Sequence, residues 1–325
     1  QDYKLPPAAL KWCHPSDKNP LQYRACDELG TFNRIPFGAG LTNGLKMLLL
    51  MVIESYERNQ CFFVTEANNH LLLREDKSQE LSTFIGRYFE PIGLPEDDRW
   101  VQRAIQEGRV YDMTWKEVWN TNDKRRIHGM KHNITALHYY NLESTTLKKV
   151  MLERMWRLLP HVRDGACRSL EAHDLQEEYM AFSVRMGDKD TEGFEYMRPE
   201  KYIEAAENVI GDHFNGVVPK IFVAADDCKI MGAFRQMRPE WIFESECDRS
   251  DGHNGFILAE MKHWTLEQTD EHFRKFFVEL IGLAGAKFYI GVAYTNVAWW
   301  AAYMRPHRWS HIFLDTHTEN ALNNW

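Results

Sequence analysis

The sequence predicts an α/β protein whose second half is a doubly wound parallel sheet. Short apolar runs at Met180 to Val184, Ile221 to Ala225 and Lys287 to Val292 alternate with stretches of helical periodicity. Strands that are apolar throughout are buried on both faces, as in parallel sheets covered by helices. The length, 325 residues, allows one large domain or two ordinary ones. With 44% hydrophobic and 26% charged residues, disordered and fibrous architectures are excluded.

The first helix begins near Thr42, where Leu45, Leu48, Leu49, Val52, Ile53 and Tyr56 form one apolar stripe with Lys46, Glu54, Glu57 and Arg58 mostly off it. A strand follows at Cys61 to Thr65. From there to about Arg163 the chain is charged and irregular, with Pro91, Pro95 and a basic loop at Lys124 to Arg126, and it gives no clear element boundaries. After the strand Met180 to Val184, Pro199 opens a helix with Tyr202, Ile203, Ala206, Val209 and Ile210 on one face. Next come the strand Ile221 to Ala225, a helix Lys229 to Arg238 stopped by Pro239, and a strand Trp241 to Glu244. A polar loop from Asp248 to Gly255 leads to a helix over about Leu266 to Leu283, then the strand Lys287 to Val292 and a helix from Asn296 to Met304.

Lysine and arginine number 39 against 47 aspartates and glutamates, a net −8 that argues against a polyanion-binding surface and so against a nucleic-acid partner. The most apolar helical segment, Leu45 to Ile53, contains Lys46 and falls far short of the ~20 residues a bilayer span needs, so no membrane contact is expected. The chain opens at Gln1 without methionine, which reads as a processed or trimmed chain. Six cysteines without a Cys-x-x-Cys pair argue against a zinc ribbon and against a thioredoxin-type redox site. Their even number fits disulfides, with Cys13–Cys26 the first expectation and Cys228–Cys247 the second, set against six buried thiols. The sequon Asn133-Ile134-Thr135 favours the secretory pathway.

Open parallel sheets bind ligands beyond the carboxyl ends of their strands. Past Val184 come Arg185, Gly187, Asp188 and Lys189, then Asp190, Glu192 and Glu195; past Ala225 come Asp226 and Asp227; past Val292 come Tyr294, Thr295 and Asn296 at a helix start, where free N–H groups favour an anion. Gly38-Ala39-Gly40-Leu41-Thr42-Asn43-Gly44 precedes the first helix and offers backbone amides to a phosphate, although Asn43 breaks the dinucleotide fingerprint. Pro36 is expected to interrupt any strand before that loop. The 14 histidines show no paired ligand spacing, so no metal is assigned. Adjacent aspartates point different ways, which disfavours joint coordination by Asp226 and Asp227.

Together these segments resemble the α1,6-fucosyltransferase type of inverting fucosyltransferases. Phe182 to Lys189 is similar to that family's His-Val-Arg-Arg-Thr-Asp-Lys stretch, Ile221 to Asp227 to its strand ending in Thr-Asp-Asp, and Tyr294-Thr295-Asn296 before Ala302-Tyr303 to its Phe-Ser-Ser before Ala-Tyr. In the first half, Phe37 to Leu45, Phe63 to Glu66 and Phe84 to Pro91 resemble its glycine loop, Leu-Glu-Ser and Phe-Arg-Pro segments. The resemblance implies a GT-B-like fold of two lobes, an acceptor-side lobe over 1–175 and a nucleotide-sugar lobe over 176–325. It also implies metal-independent transfer of fucose from GDP-fucose to a glycan hydroxyl with inversion, in the Golgi lumen or secreted, with no further cofactor.

An inverting transfer needs a cation against the departing diphosphate and a carboxylate to take the acceptor proton. By resemblance Arg185 grips the diphosphate, Lys189 and Glu192 (ahead of Glu195) form the proton relay, and Asp226 and Asp227 support the acceptor side. Gly38, Gly40, Ser183, Thr295 and Asn296 line the donor, and Glu279 takes the guanine-reading position, where a carboxylate accepts two N–H groups. The plainer reading of Glu279 is an exposed glutamate on an amphipathic helix, and that of Thr295 an ordinary N-cap. Trp299-Trp300 reads as core, although tryptophan faces also bind sugars. Ser183, Met186 and Trp300 replace a histidine and two arginines of the family, which leaves open another sugar nucleotide or a catalytically silent binding protein. The family's stem and SH3-like domain have no counterpart in these 325 residues, so the N-glycan acceptor is not carried over.

Overall fold

The structure is a computed structural model that describes residues 3–15, 26, 29–38, 40–57, 60–66, 69–72, 74–76, 78, 81–114, 144–186, 196–248, 258–306 and 310–315. Two compact units divide the chain: a larger one of Gln1–Pro15 with Pro160–Leu322, and a smaller one of Ser16–Leu159 with Asn323–Trp325. In chain order, α1 (Pro7–Cys13) opens the larger unit. The smaller holds β1 (Phe32–Pro36), α2 (Leu41–Glu57), β2 (Cys61–Thr65), α3 (Ile85–Tyr88), α4 (Arg99–Gln106), β3 (Val110–Asp112) and α5 (Ser144–Met155). The larger resumes with α6 (Pro160–Glu171), β4 (Met180–Val184), α7 (Pro199–His213), β5 (Ile221–Ala225), α8 (Ile230–Met237) and β6 (Phe243–Glu244). It ends with α9 (Leu266–Gly285), β7 (Phe288–Gly291), α10 (Asn296–Met304) and β8 (His311–Phe313).

In the smaller unit three parallel strands run in the order β2-β1-β3. The apolar stripe of α2 is buried as its spacing demands, with Leu45, Leu48, Leu49, Val52 and Ile53 all in the core. Pro36 does not interrupt the strand: β1 stays in register to Pro36 opposite Thr65. Proline is tolerated there because it is the last strand residue, and the next ladder bond passes to the Phe37 N–H, which donates to Thr65 O at 2.8 Å. Within the stretch that sequence left unordered, α4 is capped by the Asp98 carboxylate, which accepts from Trp100 N at 2.8 Å, and buries only Val101 and Ala104 fully.

The larger unit carries five parallel strands in the order β6-β5-β4-β7-β8. Every residue of β4 and β5 is buried, as continuous apolar runs require, with α7 and α8 contributing Tyr202, Ile203, Met231 and Phe234 to the same core. The α6 helix, which a division near 175 places with the first lobe, belongs to this unit together with α1. Its physical ties are clear: Tyr3 Oη donates to Asp164 at 3.1 Å, Lys4 N donates to Glu171 at 2.8 Å, and Cys13 bonds Cys167. Gly285 permits this packing, since a Cβ there would lie 2.6 Å from Ala9 Cβ and 2.7 Å from Tyr179 Oη.

The disulfides are Cys13–Cys167, Cys26–Cys61 and Cys228–Cys247. The expected Cys228–Cys247 bridge forms; Cys13–Cys26 does not, because the end of α1 faces α6 while Cys26 meets the first residue of β2. Three disulfides fit an oxidising, secreted or lumenal setting. Among the described residues no helix is long and apolar enough to cross a membrane. The sequon at Asn133 and the basic loop at Lys124 to Arg126 lie outside the described residues.

Candidate active site

From β4 the chain steps outward through β5 to β6, then returns to the other side of β4 for β7 and β8. Connections on either side of β4 and β7 therefore run in opposite directions, and their carboxyl ends open the crevice where ligands of such sheets sit. Arg185 follows β4, Asp226 follows β5, and the Tyr294-Thr295-Asn296 turn follows β7.

Arg185 and Asp226 form a close ion pair through Nη1 and Oδ2, with side chains only 16% and 11% exposed. The other Asp226 oxygen accepts the Met186 N–H at 2.8 Å, so one carboxylate fixes both the guanidinium and the backbone that leaves β4. Asp227 turns away, accepting Lys229 N at 2.9 Å at the entrance to α8. The adjacent aspartates thus serve different partners, and among the described residues no three His, Cys, Asp or Glu side chains converge as a metal site.

Across the crevice, Tyr294 Oη donates to Arg185 O at 3.3 Å and links the two sides of the switch point. Burial first, then the charges of Asp315 and Asp226, push the Tyr294 phenol up. The Thr295 side chain is an N-cap in fact: its oxygen accepts Ala298 N at 3.1 Å, and the residue is buried. Asn296 is the first residue of α10. Asp315, just past β8, accepts the N–H groups of Ala293 at 2.7 Å and Tyr294 at 3.1 Å and holds the turn. The strand-end pattern in the sequence places Tyr294 at the crevice without a role and does not point to Asp315 at all. The strand-end rule reaches Asp315 once β8, only three residues long, is known to exist.

Ser183 lies buried inside β4 opposite Ala224, and its carbonyl accepts Tyr202 Oη at 2.9 Å. Met186 packs partly buried against the apolar core, and Trp300 is fully buried. Glu279, on α9, is not the exposed glutamate of the plainer reading: its Oε1 is enclosed and makes no hydrogen bond among the described residues. Burial pushes its carboxyl up to about 8; nearby Lys275 pulls it down, while Glu246 and Asp226 add to the rise. At neutral pH it therefore holds its proton.

Lys189, Glu192 and Glu195 fall in 187–195, outside the described residues. In the smaller unit, half-buried Gly38 and Gly40 flank the entrance to α2, where Gly44 N donates to Gly40 O at 2.8 Å. A Cβ on Gly44 would lie 2.7 Å from Gly38 O, so the turn requires glycine at 44, whereas a Cβ on Gly40 meets nothing within 4 Å. Glu66, from the Phe63 to Glu66 segment, accepts the N–H groups of Phe84 at 2.8 Å and Ile85 at 3.0 Å together with the Thr83 hydroxyl, and so fixes the entrance to α3.

No family model matches the chain, and no curated protein matches its sequence. Solved structures do match. NodZ alpha-1,6-fucosyltransferase co-crystallized with GDP is 11% identical at a TM-score of 0.52, over 85% of this chain and 93% of that one. Fucosyltransferase NodZ from Bradyrhizobium, as the selenomethionine protein, is 12% identical at 0.51 over the same shares. An Arabidopsis thaliana FUT1 variant in complex with GDP is 11% identical at 0.50, over 92% of this chain and 75% of that one. The chain has the fold of fucosyltransferases. The α/β class read from the apolar runs and the GT-B-like architecture implied by the family resemblance are thus the ones observed, at an identity where the likeness speaks for fold alone.

Proposed function

We propose that this protein is an inverting, metal-independent glycosyltransferase that moves fucose from GDP-fucose to a glycan hydroxyl, in the Golgi lumen or after secretion. The observation that carries the proposal is the Arg185–Asp226 pair at the sheet's switch point, facing the start of α10, in a fold shared with GDP-bound fucosyltransferases. A guanidinium stays charged and grips phosphate through two bonds, so a pre-oriented Arg185 offsets the charge that grows on a departing GDP. Asp226 orients it, and Tyr294 and Asp315 hold the turn opposite. The Asn296 end of α10 adds N–H groups for the diphosphate, beside Thr295, whose own side chain is committed to capping.

The acceptor proton passes to Glu192, assisted by Lys189, with Asp226 and Asp227 supporting that side. On the donor side Ser183 acts from within β4. Glu279 reads guanine only as a carboxylate; because its pKa is about 8, GDP binding near neutral pH would release a proton from it. Isothermal calorimetry with GDP, UDP, GDP-fucose and GDP-mannose, in EDTA, tests the reading on wild type and Arg185→Ala. Selective GDP binding, weakened at least ~10-fold in the variant, is expected, since a hydrogen bond to a charged group contributes about 1.5–3 kcal/mol. A preference for UDP, or binding untouched by Arg185→Ala, overturns it.

A further inference from the structure

The Cys228–Cys247 disulfide ties the turn just past Asp226-Asp227 to the segment just past β6. It differs from the other two in access: Cys13, Cys26, Cys61 and Cys167 are all buried, whereas Cys228 and Cys247 are only half-buried. It also differs in its neighbour. Lys275, on α9, is only 5% exposed, and its Nζ lies 3.8 Å from each of the two sulfurs. Among the described residues no carboxylate forms an ion pair with that ammonium; Glu279, one turn further on, feels its charge, but burial shifts that carboxyl towards the protonated form.

A buried ammonium without a counter-charge is costly, and a neutral disulfide offers it only weak acceptors. The species that satisfies it is a thiolate. We propose that Cys228–Cys247 is a thiol–disulfide exchange site, opened by low-molecular-weight thiols or dithiols in preference to the other two bridges, with Lys275 stabilising the expelled thiolate. A reductant thiolate attacks one sulfur and forms a mixed disulfide, and the other cysteine leaves as a thiolate beside the Lys275 ammonium. A second reductant thiol then displaces the first, which yields two cysteines and one oxidised reductant disulfide. The two electrons and two protons that the cysteines gain are those the reductant loses. This goes beyond nucleotide binding and does not depend on it.

The test equilibrates the intact protein with graded ratios of reduced to oxidised dithiothreitol, quenches by alkylation and reads all six cysteines by peptide mass spectrometry. Wild type, Lys275→Met and Lys275→Arg are compared. Cys228 and Cys247 should open at a reductant ratio at least ~10-fold below that of the other pairs. Lys275→Met should raise that ratio about 10-fold, matching the drop of a pH unit or more in the pKa of a thiol beside a lysine, and Lys275→Arg should restore it. Joint opening of all three bridges overturns the proposal, as does a folded Lys275→Met that opens at the wild-type ratio. Should Lys275→Met fail to fold, the pH midpoint for alkylation of Cys228 and Cys247 in reduced wild type decides: about 8.5, the ordinary thiol value, overturns the proposal, and a midpoint at least one unit lower supports it.

Discussion

Replacing Asp226 by alanine removes an ion pair to Arg185 and the acceptor of the Met186 N–H at 2.8 Å. A hydrogen bond to a charged group contributes about 1.5–3 kcal/mol, so these two bonds together set a loss of at least ~3 kcal/mol. Solvent screening takes little from that figure, because the paired side chains are only 16% and 11% exposed. For a unit of this size each kcal/mol moves the melting temperature by ~2–4 °C, so the larger unit should melt ~6–12 °C lower. Differential scanning calorimetry reads this directly. Arg185→Met in the same background supplies a cycle: if the carboxylate acts mainly through the guanidinium, the double variant should be more stable than the sum of the single losses, by ~1–3 kcal/mol. A melting temperature indistinguishable from wild type, or strictly additive losses, would refute the view that Asp226 fixes Arg185.

Glu279 gives a pH prediction: its folded pKa of about 8 lies above the ordinary carboxylate value, so the folded state binds the extra proton and stability falls as pH rises towards 8. The slope approaches ~1.4 kcal/mol per pH unit, and Glu279→Gln should flatten the melting temperature between pH 5 and 8. Gly44→Ala should cost about 1–3 kcal/mol through its contact with Gly38 O, while Gly40→Ala stays within ~1 kcal/mol of wild type; thermal melts of the two variants check the contrast. Loop closure ranks the bridges: Cys13–Cys167 spans 154 residues and Cys228–Cys247 only 19. Paired replacement by alanine should cost ~5 and ~3 kcal/mol respectively, measured by chemical denaturation.

Local pattern made much of this fold legible. Continuous apolar runs set β4 and β5, Pro199 and the stripe from Tyr202 to Ile210 set α7, and Asn296 to Met304 gave α10 with both ends correct. These features depend on each residue's near neighbours and on burial averaged over a whole face, which periodicity encodes. Strand ends also pointed to Arg185, Asp226 and Thr295 as candidates before any topology was known. Tertiary structure alone decided that β7 lies beside β4 and brings Tyr294 to Arg185, because strand order is a choice among long-range pairings that leave no trace in local sequence. It likewise gave Cys13 to Cys167 rather than Cys26, and enclosed Glu279 so that it keeps its proton. Disulfide partners and the desolvation of a carboxyl depend on which distant segments share a volume, and only the folded chain determines that.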